Sequence, residues 1–144
     1  MMKFDIKAVK EIDYASATKG QMVILAEHRY FEGNWSFSEH TIKSVSAKKG
    51  MITLSGATAP RFSKFGIELG KDAYSRNESV LLEHNPENLK VVQAYQKHRR
   101  LVLKTTVLFE KLVANDSQAL KNMSVEKLQE LYEFVAQNSA PEDA

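Results

Sequence analysis

The sequence predicts an α+β protein: a small antiparallel barrel or curled sheet of five or six strands, followed by one long and one short C-terminal helix. Three observations carry this. Residues 3–84 break into short apolar runs divided by Gly, Pro, Asn and Ser at intervals of about 8–12 positions, the spacing of a small all-β unit. Asn85-Pro86-Glu87 then opens a stretch to about Asn115 whose apolar residues recur with the helical period. Ser124 opens a second, shorter pattern of the same kind.

Taken in order, Phe4, Ile6 and Ala8 alternate with Lys3, Asp5 and Lys7, which predicts a half-buried strand over Lys3 to Ile12. Residues 15–20 are a turn-rich break ending in Gly20. Met22-Val23-Ile24-Leu25, within Gln21 to Phe31, suits a strand buried on both faces. Glu32-Gly33-Asn34 is a hairpin connection. The return strand carries Trp35 and Phe37, but its apolar positions change parity before Ile42 and Val45, which predicts a bulge near Glu39 to Thr41. Ala47-Lys48-Lys49-Gly50 is a second hairpin turn, Met51 to Ser55 a short strand, and Gly56 to Pro60 a break. Phe62, Phe65, Ile67 and Leu69 supply another extended stretch, Lys71 to Asn77 a polar loop, and Val80-Leu81-Leu82 the last strand. A flat meander with a helix on one face, or a sheet completed by a partner, are the alternatives to a barrel.

Asn85 is a favoured helix cap, Pro86 suits the first helical position, and Glu87 suits the positive end of the helix dipole. At about 100° per residue, Val91, Ala94, Tyr95, His98, Leu101, Val102, Thr105, Thr106, Leu108, Phe109, Leu112 and Val113 share an arc of roughly 160°, expected to face the sheet. His98, near its centre, is expected to be buried. Leu89, Val92, Leu103 and Val107 form a second, narrower strip, to be covered by the final helix, another protein or a second copy of the chain. Asn115-Asp116-Ser117 are poor helix formers and end the helix. Ser124 caps the last one, whose Val125, Leu128, Leu131, Tyr132 and Val135 make one stripe. The expected organisation is a sheet over residues 1–84, a helical extension packed on it over 85–137, and a disordered polar tail over 138–144.

Composition narrows the function classes. A chain of 144 residues, 43% hydrophobic and 26% charged, builds a core of its own. A net charge of +2 is too mild to imply nucleic acid by itself. With no cysteine there is no disulfide, thiolate nucleophile or cysteine zinc site. No apolar run reaches the roughly 18 residues of a membrane helix, and Met1 to Asp5 open no signal-peptide core, so a cytoplasmic protein is expected. His28, His40, His84 and His98 lack metal-ligand spacing, and there is no nucleophile elbow, phosphate loop or carboxylate pair. No catalytic residue, metal ligand or cofactor is expected.

The functional candidates are therefore surfaces. Lys90, Lys97, Lys104 and Lys111 recur every seventh residue beside the apolar arc, with Arg100 next to them, and Lys48-Lys49 forms a basic hairpin tip. Such a ridge suits successive phosphates or an acidic partner, and lysines equally serve a solvated face. Trp35, Leu89, Val92, Leu103 and Val107 are the candidate partner-facing apolar residues, although Trp35 with Phe37 also suits a core.

Several stretches carry a resemblance. Thr41-Ile42-Lys43-Ser44-Val45, the turn to Met51-Ile52-Thr53-Leu54, and Arg61-Phe62-Ser63-Lys64-Phe65-Gly66-Ile67-Glu68-Leu69-Gly70 resemble a pattern found in small phage-encoded β-barrel proteins. Met123-Ser124-Val125-Glu126-Lys127-Leu128-Gln129-Glu130-Leu131 is similar to their closing helix. The likeness covers roughly residues 20 to 137 and departs at Phe65-Gly66-Ile67-Glu68, where the pattern has Thr-Gly-Arg-Glu. The resemblance implies an SH3-like barrel with a helical tail, of phage or mobile-element origin, and carries over no catalytic residue. Together these readings predict a non-enzymatic protein that docks onto a host protein, such as nucleic-acid or defence machinery, as an inhibitor or modulator. Direct DNA or RNA binding along the ridge is the second reading.

Overall fold

The computed structural model describes residues 3–56, 58–70 and 77–139. Five strands, β1 (Met22–Arg29), β2 (Asn34–Ser46), β3 (Met51–Leu54), β4 (Arg61–Ser63) and β5 (Glu78–Glu83), precede α1 (Pro86–Lys121) and α2 (Val125–Asn138). The protein is α+β: an antiparallel sheet of order β4-β3-β2-β1-β5, curled into a half-barrel, with one long and one short C-terminal helix. The chain divides into two compact units between Lys97 and His98, so the division falls inside α1 rather than at its start.

In the first unit the curl is built into β2. Its residues Asn34 to Thr41 pair with β1, whereas Ile42 to Ser46 pair with β3. The register shifts between Ile42 and Ser44, just beyond the expected bulge, where the strand changes partner. As its continuous apolar run predicts, β1 is buried on both faces. Val23 and Leu25 join Ile42, Ile52, Leu54, Phe62 and Leu81 in a core to which all five strands contribute. Ile24 and Ala26 join Leu82, Trp35, Phe4, Val9, Val92 and Tyr95 on the opposite face.

Lys3 to Ile12 is not the expected strand. The Asp5 carboxylate accepts from the Lys7 N–H and starts a single 3-10 turn at Ile6–Ala8, leaving Phe4 and Val9 to anchor the segment. Its remainder seals the sheet edge: the Ile12 N–H donates to the Leu81 carbonyl, and the Glu83 N–H to that of Lys10. At the other edge the Ser63 N–H donates to the Ile67 carbonyl and the Leu69 N–H to that of Arg61. Both edges are thus occupied by the chain's own backbone, which blocks strand addition there. The turn from β4 to Ile67 is fitted to its neighbour. Gly66 has φ +84°, and a Cβ there would lie 2.9 Å from Cε2 of Tyr14.

Tyr14 also terminates the β5 edge, its hydroxyl accepting from the Leu81 N–H at 3.0 Å, and burial pushes its phenol pKa up. Because the folded phenol titrates above its unfolded value near 10, the linked stability is complete below that pH and is lost as pH rises towards the folded value. Tyr14→Phe is expected to cost about 1–2 kcal/mol at neutral pH by orphaning that N–H, and to flatten the fall in stability above about pH 10. Urea titrations across the alkaline range check both; a variant with the wild-type alkaline slope would refute the linkage.

The first turns of α1 pack on the second face. The Asn85 side chain caps the helix, accepting from the Asn88 N–H at 2.7 Å. Asn88 is 3% exposed, and its amide donates to the carbonyls of Lys10 and Glu83 while its oxygen accepts from the Lys10 N–H. It fastens helix, β5 and N-terminal segment together. Asn88→Ala should lower unfolding stability by about 1–3 kcal/mol, read from a urea midpoint, because the Lys10 N–H loses its partner; an unchanged midpoint would mean that solvent satisfies it. Two helical turns on, the Tyr95 hydroxyl accepts from the Trp35 N–H at 3.1 Å, within an aromatic cluster of Phe4, Trp35, Phe37 and Tyr95.

Candidate functional site

In the first unit, the side of α1 that meets the sheet is not the centre of the wide arc. Asn88, Val92 and Tyr95 are its buried residues, with Leu89 and Val91 half-buried beside them, while Ala94 is exposed. They lie between the two apolar strips read from the sequence. The first turns thus use the strip that contains Leu89 and Val92 together with only the edge of the main arc. Three of the five apolar residues expected to face a partner are therefore structural. Trp35 is 9% exposed and makes tilted ring contacts with Phe4 and His28, Val92 is 4% exposed, and Leu89 packs against the second core.

The other two lie on the second unit and are open: Leu103 is 60% and Val107 48% exposed. The final helix does not cover them. The expectation of a buried main arc also fails here. Among the described residues from His98 to Ser139 none is buried, and His98 itself is half-buried. Eleven large apolar side chains of this segment are exposed, among them Leu101 (54%) and Leu108 (65%) on α1, and Val125 (77%) and Tyr132 (70%) on α2. The residues of α1 after Lys97 present apolar side chains around most of the helix. Leu103, Lys104, Val107 and Leu108 form one open patch on this helix, and His98, Leu101, Val102, Thr105, Thr106 and Phe109 another.

Local sequence sets the boundaries of the two helices. Helical geometry breaks where predicted, at Ala114 to Ser117, with Asn115, Asp116 and Ser117 all left-handed (φ 54–59°). Asn and Asp tolerate that region best among non-glycine residues. Ser124 caps α2 by accepting from the Lys127 N–H. Yet α2 has 14 residues and buries none of them, and a helix of that length is marginal alone in water.

The basic candidates are all exposed. Lys48 and Lys49 sit at the β2–β3 turn, where Gly50 takes φ +60°; Lys90 and Lys97 lie on the first unit, and Arg100, Lys104 and Lys111 on the second. Among the described residues, none of these seven joins an ion pair.

Polar side chains also pair with one another in the first unit. The Ser38 hydroxyl lies 2.8 Å from Nε2 of His40, whose Nδ1 lies 2.7 Å from the Ser55 carbonyl. This pairing was not legible from motif spacing, since Ser55 comes from another strand's end. It has a backbone carbonyl at the position where a catalytic triad has a carboxylate. His84 pairs with Glu39 at 3.1 Å. Hydrogen bonds from the Ser16 hydroxyl and the Ala15 N–H hold the Asp13 carboxyl below its usual range, and those of Lys10 and Asn85 do so for Glu83. Among the described residues no cluster of His, Asp or Glu could hold a metal, and no helix is long and apolar enough to cross a membrane. The chain matches no family profile, no curated protein and no solved structure.

Proposed function

We propose that this is a non-enzymatic binding protein that works by docking its helical segment, residues 98–139, onto another protein. The observation that carries the reading is the set of eleven exposed large apolar side chains on a segment with no core of its own. Exposed apolar side chains in this number are a mark of protein contact, and burying them would supply the free energy that α2 lacks. The sealed sheet edges direct such contact to the helices. The likeness to phage-encoded β-barrel proteins supports a phage or mobile-element origin and a host protein as partner, inhibited or modulated by occlusion in the host cytoplasm, which needs no cofactor.

Direct nucleic-acid binding is the second reading, favoured by the exposed cations of α1. It leaves the neighbouring Leu101, Leu103 and Leu108 in water, and so ranks lower. Reversing Lys97, Arg100 and Lys104 to Glu would abolish such binding, and a wild-type protein that shifts no DNA or RNA at low salt rules it out. The protein-docking reading is tested by co-purification from the native host, identification of the partner, and reconstitution from purified components. Loss of the reconstituted complex in Leu101→Glu/Leu108→Glu supports it, and retention overturns it.

A further inference from the structure

We infer that the partner presents an amphipathic helix whose apolar stripe is bordered along one edge by carboxylates at heptad spacing. The inference rests on the reading of residues 98–139 as a protein-docking surface and names what that surface selects. At about 100° per residue, Leu101, Thr105, Leu108 and Leu112 define one side of α1 beyond Lys97, with Val102 and Phe109 widening it. Arg100, Lys104 and Lys111 fall within about 40° of one another, between Leu108 on one side and Val107 on the other. The one acidic residue between His98 and Val113, Glu110, points about 100° away from them. A helix laid on the apolar side brings its own flanking residues opposite these three cations, as edge charges in coiled coils oppose each other and select the partner.

Neither of this chain's own helices provides that edge. On α2, Glu126, Glu130 and Glu133 lie on the side opposite Val125, Leu128 and Tyr132, so seating its apolar stripe turns its carboxylates to solvent. A second α1 would set the basic edge against itself when antiparallel, and against Val102 and Phe109 when parallel. Phosphates would match the charge and leave the apolar side wet. A different protein with an acid-edged helix matches both the Leu101–Leu108 side and the cations beside it, with Leu103 and Val107 lying outside that contact.

Two fluorescent helical peptides of about three heptads test this, identical in their leucine stripe and carrying either Glu or Lys along one edge. Fluorescence anisotropy with the full chain should give the Glu-edged peptide about tenfold or greater preference at about 0.05 M salt, shrinking at about 0.5 M. In Arg100→Glu/Lys104→Glu/Lys111→Glu the preference should reverse, with the melting temperature unchanged because all three residues are exposed. Equal binding of both peptides, or a preference that the triple variant does not reverse, overturns the inference and leaves the docking surface standing. Binding of neither peptide by a monomeric protein overturns both. Sedimentation as a dimer, with residues 98–139 protected from hydrogen exchange, makes a second copy the occupant and overturns the inference alone.

Discussion

Phe62→Ala should destabilise the sheet unit by about 3–5 kcal/mol, the cost of emptying a fully buried aromatic site. Phe62 is 0% exposed and belongs to the core shared by all five strands, opposite Ile52. It is also the buried residue of β4, a three-residue edge strand. Its loss removes contact area and the anchor of that edge together. Against a total stability of about 5–15 kcal/mol for a domain of this kind, the variant should melt more than about 12 °C lower than wild type. Phe31→Ala is the control: Phe31 is 90% exposed, and its truncation should change stability by less than about 0.5 kcal/mol. A drop below about 1 kcal/mol for Phe62→Ala would mean that β4 does not close this core.

The converse is expected on α1. Leu101→Glu/Leu108→Glu should leave the melting temperature of the sheet unit where it is, since both side chains are exposed and Glu is nearly as good a helix former as Leu. Its affinity for the reconstituted partner should fall by at least about a hundredfold, because two carboxylates then enter the apolar centre of the interface. Isothermal calorimetry with the purified partner measures this, beside a thermal melt. A double variant that binds like wild type would move the interface off this face of the helix. A double variant that unfolds would mean that these leucines belong to a core.

Much of this architecture was legible in the residues, and the failures have physical causes. The Met22-to-Leu25 run specified a strand buried on both faces, and Asn85-Pro86-Glu87 and Asn115-Asp116-Ser117 marked the helix start and break, because each is a local signal. Alternation over Lys3 to Ile12 misled because the Asp5 cap overrides a period-two pattern only three repeats long. A buried polar residue such as Asn88 gave no periodic signal, since its three bonds reach 78 residues back and 5 back along the chain. The polar loop expected over Lys71 to Asn77 lies outside the described residues except for Asn77, as does most of the expected tail.

The site was legible as chemistry and not as exposure. Periodicity reports which residues share a side of a helix, and it cannot say whether a core or a partner meets that side. The same helix serves both ends: up to Lys97 it buries Asn88, Val92 and Tyr95, and beyond it buries nothing. Leu89 and Val92 therefore went to the core, whereas Leu103 and Val107, two turns or more further along the same strip, stayed open.

Amide hydrogen exchange on the isolated protein, at a concentration where sedimentation shows a monomer, tests the central claim most directly. Slow exchange is expected at Val23 to Ala26, Ile52 to Leu54 and Leu81-Leu82, and exchange within seconds to minutes over residues 98–139, slowed when the partner is added. Protection of 98–139 in the monomer as strong as that of the β1 core would contradict it, because the apolar side chains of this segment would then already be covered within one chain.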